Sequence, residues 1–171
     1  MYLLFVVFVW LIFGLLFVDW KNWKPYYPTI LYYCTLNLLY DFLYFNHTLF
    51  AFQAITTKYL NHTIIELAFL FIIMPIVILI FLQRYPEQSR SRVIYICIWS
   101  LFFWIIEYLF AEKNMFIYDN AWNVWHSAWF DVLMFIMFRL HYKRPALTIG
   151  LSVIVVILFI FIFPVPLSKL K

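Results

Sequence analysis

From Phe69 to Leu82 the sequence runs FLFIIMPIVILIFL, fourteen residues without a charge or a hydrogen-bonding side chain, and Ile149–Phe163 repeats the pattern with Ser152 as its one polar interruption. A helix that is apolar on every face has no side to turn toward water, so segments of this kind belong in a protein core or a lipid bilayer. A core cannot absorb them here: 67% of the 171 residues are hydrophobic and 12% charged, with a mean hydropathy of +0.93. Soluble domains hold about 45–50% apolar and about 25% charged residues. Transmembrane strands alternate apolar and polar side chains, and these runs do not. The sequence therefore predicts an all-α integral membrane bundle.

A hydrocarbon layer about 30 Å thick needs about 20 apolar residues per helix, which fits about six spans into this length as one domain, 1–171, with short loops. The expected spans are 2–19, 29–49, 64–82, 93–111, 121–140 and 146–165. A five-span rival omits the second, whose apolar run is interrupted by Asn37 and Asp41. The first apolar run lacks a basic leader and a small-residue cleavage site, so it reads as a retained helix rather than a signal peptide. Between the spans, Trp20–Pro28 mixes aromatic, basic and proline residues, Gln83–Arg92 is the most polar stretch, and Lys143-Arg144-Pro145 breaks the last two helices apart. Pro75 lies inside the third span, where it frees a backbone carbonyl and bends the helix.

Basic residues set the expected orientation. Lys21, Lys24, Arg84, Arg90, Arg92, Arg139, Lys143 and Arg144 fall on one side, Lys58, Lys113, Lys169 and Lys171 on the other, an 8 to 4 division. The positive-inside rule makes the first group cytoplasmic and places both termini, with the connections 50–63 and 112–120, outside. Arg139, His141, Lys143 and Arg144 then read as a topology signal in contact with headgroups. The net charge of +4 forms no basic arm or helix face, so no nucleic-acid partner is expected. Cys34 and Cys97 have no CxxC partner and read as small apolar side chains. Walker, GxSxG and HExxH motifs are missing. Asn46-His47-Thr48 and Asn61-His62-Thr63 match the glycosylation sequon but read as polar helix ends. With two glycines in the chain, the helices are expected to pack through bulky side chains, and a second copy or a partner membrane subunit fits their flat apolar faces.

Ionisable groups within spans are costly and normally face the bundle interior. Asn37 and Asp41 share a stripe with Tyr40 and Tyr44. His62 and Glu66 are i, i+4 neighbours, Glu107 lies near the outer end of the fourth span, and Asn120, Asn123, Ser127 and Asp131 follow one face of the fifth with His126 at its edge. All fall in the outer half, so Asn37, Asp41, His62, Glu66, Glu107, Asn123, His126 and Asp131 are expected to border one polar pocket. Asp131 is expected to pair with Asn37 or Asp41. Trp122, Trp125 and Trp129 suit an interfacial belt. His62, Glu66, Glu107 and His126 are the candidate ligands of a divalent metal, since imidazole with carboxylate suits zinc, manganese or iron. Three readings stay open: a structural or ligand-binding network, a metal-dependent membrane-embedded hydrolase, and a small-solute or proton transporter.

The series Trp23-Lys24-Pro25-Tyr26-Tyr27-Pro28-Thr29, Tyr85-Pro86, Trp99 with Glu107, and Tyr118-Asp119-Asn120-Ala121-Trp122-Asn123 through His141 resembles a family of small uncharacterised polytopic membrane proteins of spore-forming Gram-positive bacteria. The resemblance covers about residues 20 to 145. It implies a bacterial plasma membrane location, and it brings no activity, cofactor or site residues with it.

Overall fold

A computed structural model describes residues 2–53 and 62–166. Lys58, Asn61, Lys169 and Lys171 lie outside the described residues, and with them three of the four basic residues assigned to the outer side. The fold is all-α, with six helices among the described residues: α1 (Tyr2–Phe17), α2 (Tyr27–Leu43), α3 (His62–Gln83), α4 (Ser89–Glu112), α5 (Val124–Lys143) and α6 (Pro145–Ile162). Two three-residue strands, β1 (Phe50–Phe52) and β2 (Phe116–Tyr118), pair antiparallel, with Phe50 opposite Tyr118.

Each expected span has a helix at its centre, and the differences lie at the ends. α2 stops at Leu43, six residues short of the expected 49, because the Tyr40 hydroxyl accepts the amides of Leu49 (3.0 Å) and Phe50 (3.4 Å) and folds the chain back over the helix end. α5 starts at Val124 rather than 121, since the Asn123 side chain accepts the amides of Trp125 and His126 as an N-cap. Prolines open α2 and α6 in their first turn, where a missing N–H costs nothing.

Three helices, α3, α4 and α6, are long and apolar enough to cross a membrane. At 1.5 Å per residue α4, with 24 residues, reaches about 36 Å, whereas α1 with 16 and α2 with 17 reach roughly 24–26 Å. α3 is the central helix: over its apolar window 56% of the residues are buried, against 6% for α4 and 11% for α6. The stretch Ile76–Leu82 is buried throughout. Near the end of α3, Phe81 has its ring against Tyr95, Trp99, Phe135 and Phe138, and its carbonyl accepts the Tyr95 hydroxyl at 3.2 Å. α4 and α6 turn large apolar side chains such as Val93, Ile98 and Phe161 outward. In water such faces are a liability; against lipid they are the expected surface.

The helix ends meet in two layers. At one end Asp19 and Gln83 exchange hydrogen bonds (2.9 and 3.0 Å), Arg84 donates to the Phe17 carbonyl, and the Arg139 guanidinium lies 4.3 Å over the Tyr85 ring. At the other end the strand pair is extended by Asp119 N–H to Leu49 O and by Gln53 N–H to Met115 O. The Asn120 side-chain amide donates to Thr48 O (2.8 Å). The described start of the first expected outer connection, 50–53, therefore lies against 115–119 of the second. Phe163, just past α6, joins this end through Tyr44, whose hydroxyl donates to its carbonyl at 3.1 Å.

Candidate functional site: an acidic, aromatic cavity

Beneath the strand pair the helices leave a cavity of about 430 Å³. Every helix gives it at least one aromatic side chain, among them Trp10, Tyr33, Phe69, Phe103, Phe130 and Phe159. The aromatic abundance of the chain thus has a local consequence. Around the cavity the bundle packs ring against ring, stacked as in Tyr40 on Phe50 and edge to face as in Phe52 on Phe116.

Two polar groups interrupt this wall. The first bridges α2 and α3: Asn37 Nδ2 lies 3.4 Å from both Asp41 Oδ2 and Glu66 Oε1, and Glu66 Oε2 is 2.9 Å from His62 Nε2. Helical periodicity puts each pair on one face, and the tertiary contact joins the two faces. His62 also accepts the Phe52 amide on Nδ1 (3.2 Å), so the ring ties β1 to the start of α3. The second group lies between α4, β2 and α5. Glu107 Oε1 accepts the Tyr118 hydroxyl at 2.8 Å, Ser127 stands beside the same carboxyl, and Ser127 Oγ accepts the Trp122 indole N–H at 2.9 Å. Asp131, one turn further along α5, is 5% exposed and within charge range of Glu107. Its Oδ2 has no hydrogen-bond partner.

Of the eight expected pocket residues, Asn37, Glu66, Glu107 and Asp131 line the cavity. Asp41 and His62 stand behind Glu66. Asn123 is an exposed helix cap, and His126 is turned toward Trp122 (5.4 Å between ring centroids) and Phe163 (5.3 Å). The expected pairing of Asp131 with Asn37 or Asp41 is not made, because those two are occupied with each other and with Glu66. Nor do the four candidate metal ligands gather. Glu107 is engaged by Tyr118 and His126 by aromatic rings, and among the described residues no three His, Cys, Asp or Glu side chains are placed to hold one ion. His141 is a further correction. Instead of meeting headgroups it is 5% exposed, with Nδ1 3.0 Å from Thr29 Oγ1 and its ring stacked on Tyr32.

Two contributors escaped the sequence reading. Tyr32, whose hydroxyl lies 2.6 Å from Ser152 Oγ, closes the cavity near α6, and Tyr118 supplies the donor to Glu107. Tyr32 follows the spacing of the α2 stripe loosely, whereas Tyr118 sits in a three-residue strand that no periodicity marks. Compared with protein families, curated proteins and solved structures, the chain matches none. The chemistry of the cavity is therefore read from its own lining: aromatic and aliphatic surface, three carboxyl groups, a few hydroxyls, and among the described lining residues no Lys, Arg or His.

Proposed function

We propose that the chain is a multi-pass protein of a bacterial plasma membrane, with about six spans and both termini outside, and that it holds an amphiphilic ligand in the central cavity. One observation carries this reading: a cavity of about 430 Å³, apolar over most of its wall, with a few polar groups set into it. Small-molecule sites have this size and this division of labour, apolar area for affinity and sparse polar groups for orientation. The placement of α1, α2 and α5 as spans rests on their packing beside α3, α4 and α6, and the orientation on the basic residues. The bacterial plasma membrane location rests on the family resemblance.

The test is native mass spectrometry on detergent-purified protein, with Leu36→Trp and Met134→Trp beside the wild type to fill the cavity from two sides. A bound hydrophobic mass in the wild type that both folded variants lack supports the reading. A wild type that carries no adduct and takes up none from membrane extract overturns it. One feature favours transport as a second reading: α3 is broken beside the cavity by a π-helical turn, Phe69–Ile73, followed by Pro75. That reading requires ligand flux across liposomes.

A further inference from the structure

The charge of the cavity narrows its ligand. Glu66, Glu107 and Asp131 are all acidic; Glu66 is paired with His62 behind it, and no basic side chain among the described lining residues opposes the other two. An acidic cluster alone would be a hydrogen-bonded packing device, and the Asn37–Asp41–Glu66–His62 group is one, each member engaged by another. Asp131 is different. It is 95% buried by its 5% exposure, it lines the cavity, and its Oδ2 is without a partner. A buried polar atom left unpaired costs about 1–3 kcal/mol, and more for a charged group, so one kept at the wall of a cavity calls for an explanation, and a bound group is one. The neighbouring groups cannot do so: Tyr118 donates to Glu107, and the Trp122 indole donates to Ser127.

We propose that the cavity takes a lipophilic cation, a molecule with an apolar or aromatic body and one positively charged nitrogen or phosphorus centre, the charge lying against Asp131 and Glu107. This rests on the ligand-binding reading above. Aromatic faces such as Trp122, Phe130 and Phe103 add attraction for the same charge, because the ring quadrupole presents its negative face to a cation. In a low-dielectric interior the two effects reinforce each other, and an anion of equal shape meets both as repulsion. Among the described lining residues no Lys or Arg stands beside Asp131 and Glu107, so a cation entering there meets no like charge.

The experiment uses two ions of nearly identical shape and opposite sign, tetraphenylphosphonium and tetraphenylborate, titrated into detergent-purified full-length protein by tryptophan fluorescence and calorimetry. The variants are Asp131→Asn and Glu107→Gln, with folding checked by circular dichroism. The expected result is saturable binding of the phosphonium, binding of the borate weaker by tenfold or more, and a loss of roughly tenfold in phosphonium affinity in Asp131→Asn, the size of one charge-assisted contact. Glu107→Gln is an independent second variant if Asp131→Asn does not fold. Equal binding of both ions, abolished by Met134→Trp, overturns the cation proposal and leaves the pocket reading standing. Unchanged phosphonium affinity in both carboxamide variants also overturns it. No binding of either ion by folded wild type overturns it too, and the mass measurement then decides the pocket reading separately.

Discussion

The thiol of Cys34 on α2 lies 3.8 Å from the main-chain carbonyl of Leu70 and donates to it across the helix interface. Leu70 sits in the π-helical turn of α3, where Met74 N–H bonds back five residues to Phe69 O. The next bond in that series would run from residue 75 to Leu70, and residue 75 is proline, with no N–H to give. The Cys34 thiol takes the place of that missing donor.

A double-mutant cycle tests this substitution of donors. Cys34→Ala is expected to lower stability by about 1 kcal/mol, a modest figure because S–H is a weak donor. Cys34→Ser, with a stronger donor, should recover most of it. In a Pro75→Ala background, where the backbone supplies its own N–H, Cys34→Ala should cost measurably less. Thermal unfolding in detergent reads all three, and equal costs in both backgrounds would sink the coupling.

Tyr40 is the pivot of the cavity's roof. Its hydroxyl accepts two amides, Leu49 and Phe50, while its ring stacks on Tyr44 and Phe50 at about 5 Å. Tyr40→Phe keeps the stacking and removes the acceptor. We expect a loss of about 1–3 kcal/mol, with backbone amide exchange at Leu49 and Phe50 rising while that of α4 is unchanged. Uniform acceleration across the whole chain would mean that the roof is not a separate unit.

Gly14 brings the α1 backbone close against Ile76 of α3. A methyl group added there would meet Ile76 Cδ1 at 3.1 Å, with two further atoms of the same side chain within 3.4 Å. Ile76 is buried but ends in a flexible side chain, so Gly14→Ala is expected to be tolerated, its better helix propensity offsetting the contact to within about 1 kcal/mol. Gly14→Leu cannot be accommodated in this way and should separate α1 from α3, lowering the melting temperature and loosening the cavity wall at Trp10. Equal melting temperatures for the two variants would contradict the close approach.

What could be read in advance follows from how far each signal extends. Helix centres were legible because a dozen or more apolar residues, or a proline at the start, outweigh any local alternative. The end of α2 was not, because it is decided by a hydroxyl reaching nine residues ahead, from Tyr40 to Leu49. The i, i+4 pairs Asn37–Asp41 and His62–Glu66 were likewise visible in the spacing. Their meeting depends on the rotation of α2 against α3, which no spacing encodes. The same limit explains His126, placed with the acids by depth yet packed against Trp122 and Phe163.

His62 illustrates how a residue read as a ligand works as a fastener. Its Nε2 meets Glu66 at 2.9 Å and its Nδ1 accepts the Phe52 amide at 3.2 Å, so one ring connects the polar group on α3 to strand β1. His62→Ala removes both connections. Because the Phe52 amide lies at the roof rather than in the core, we expect its exchange rate to rise by about fivefold to tenfold, equivalent to roughly 1 kcal/mol, with Phe81 and its neighbours unaffected. His62→Gln, whose side chain offers one acceptor and one donor, should restore part of the protection at Phe52. If exchange at Phe52 is unchanged in His62→Ala, the strand is held by its pairing with β2 and by Tyr40, and the imidazole is free for another role at the outer end of α3.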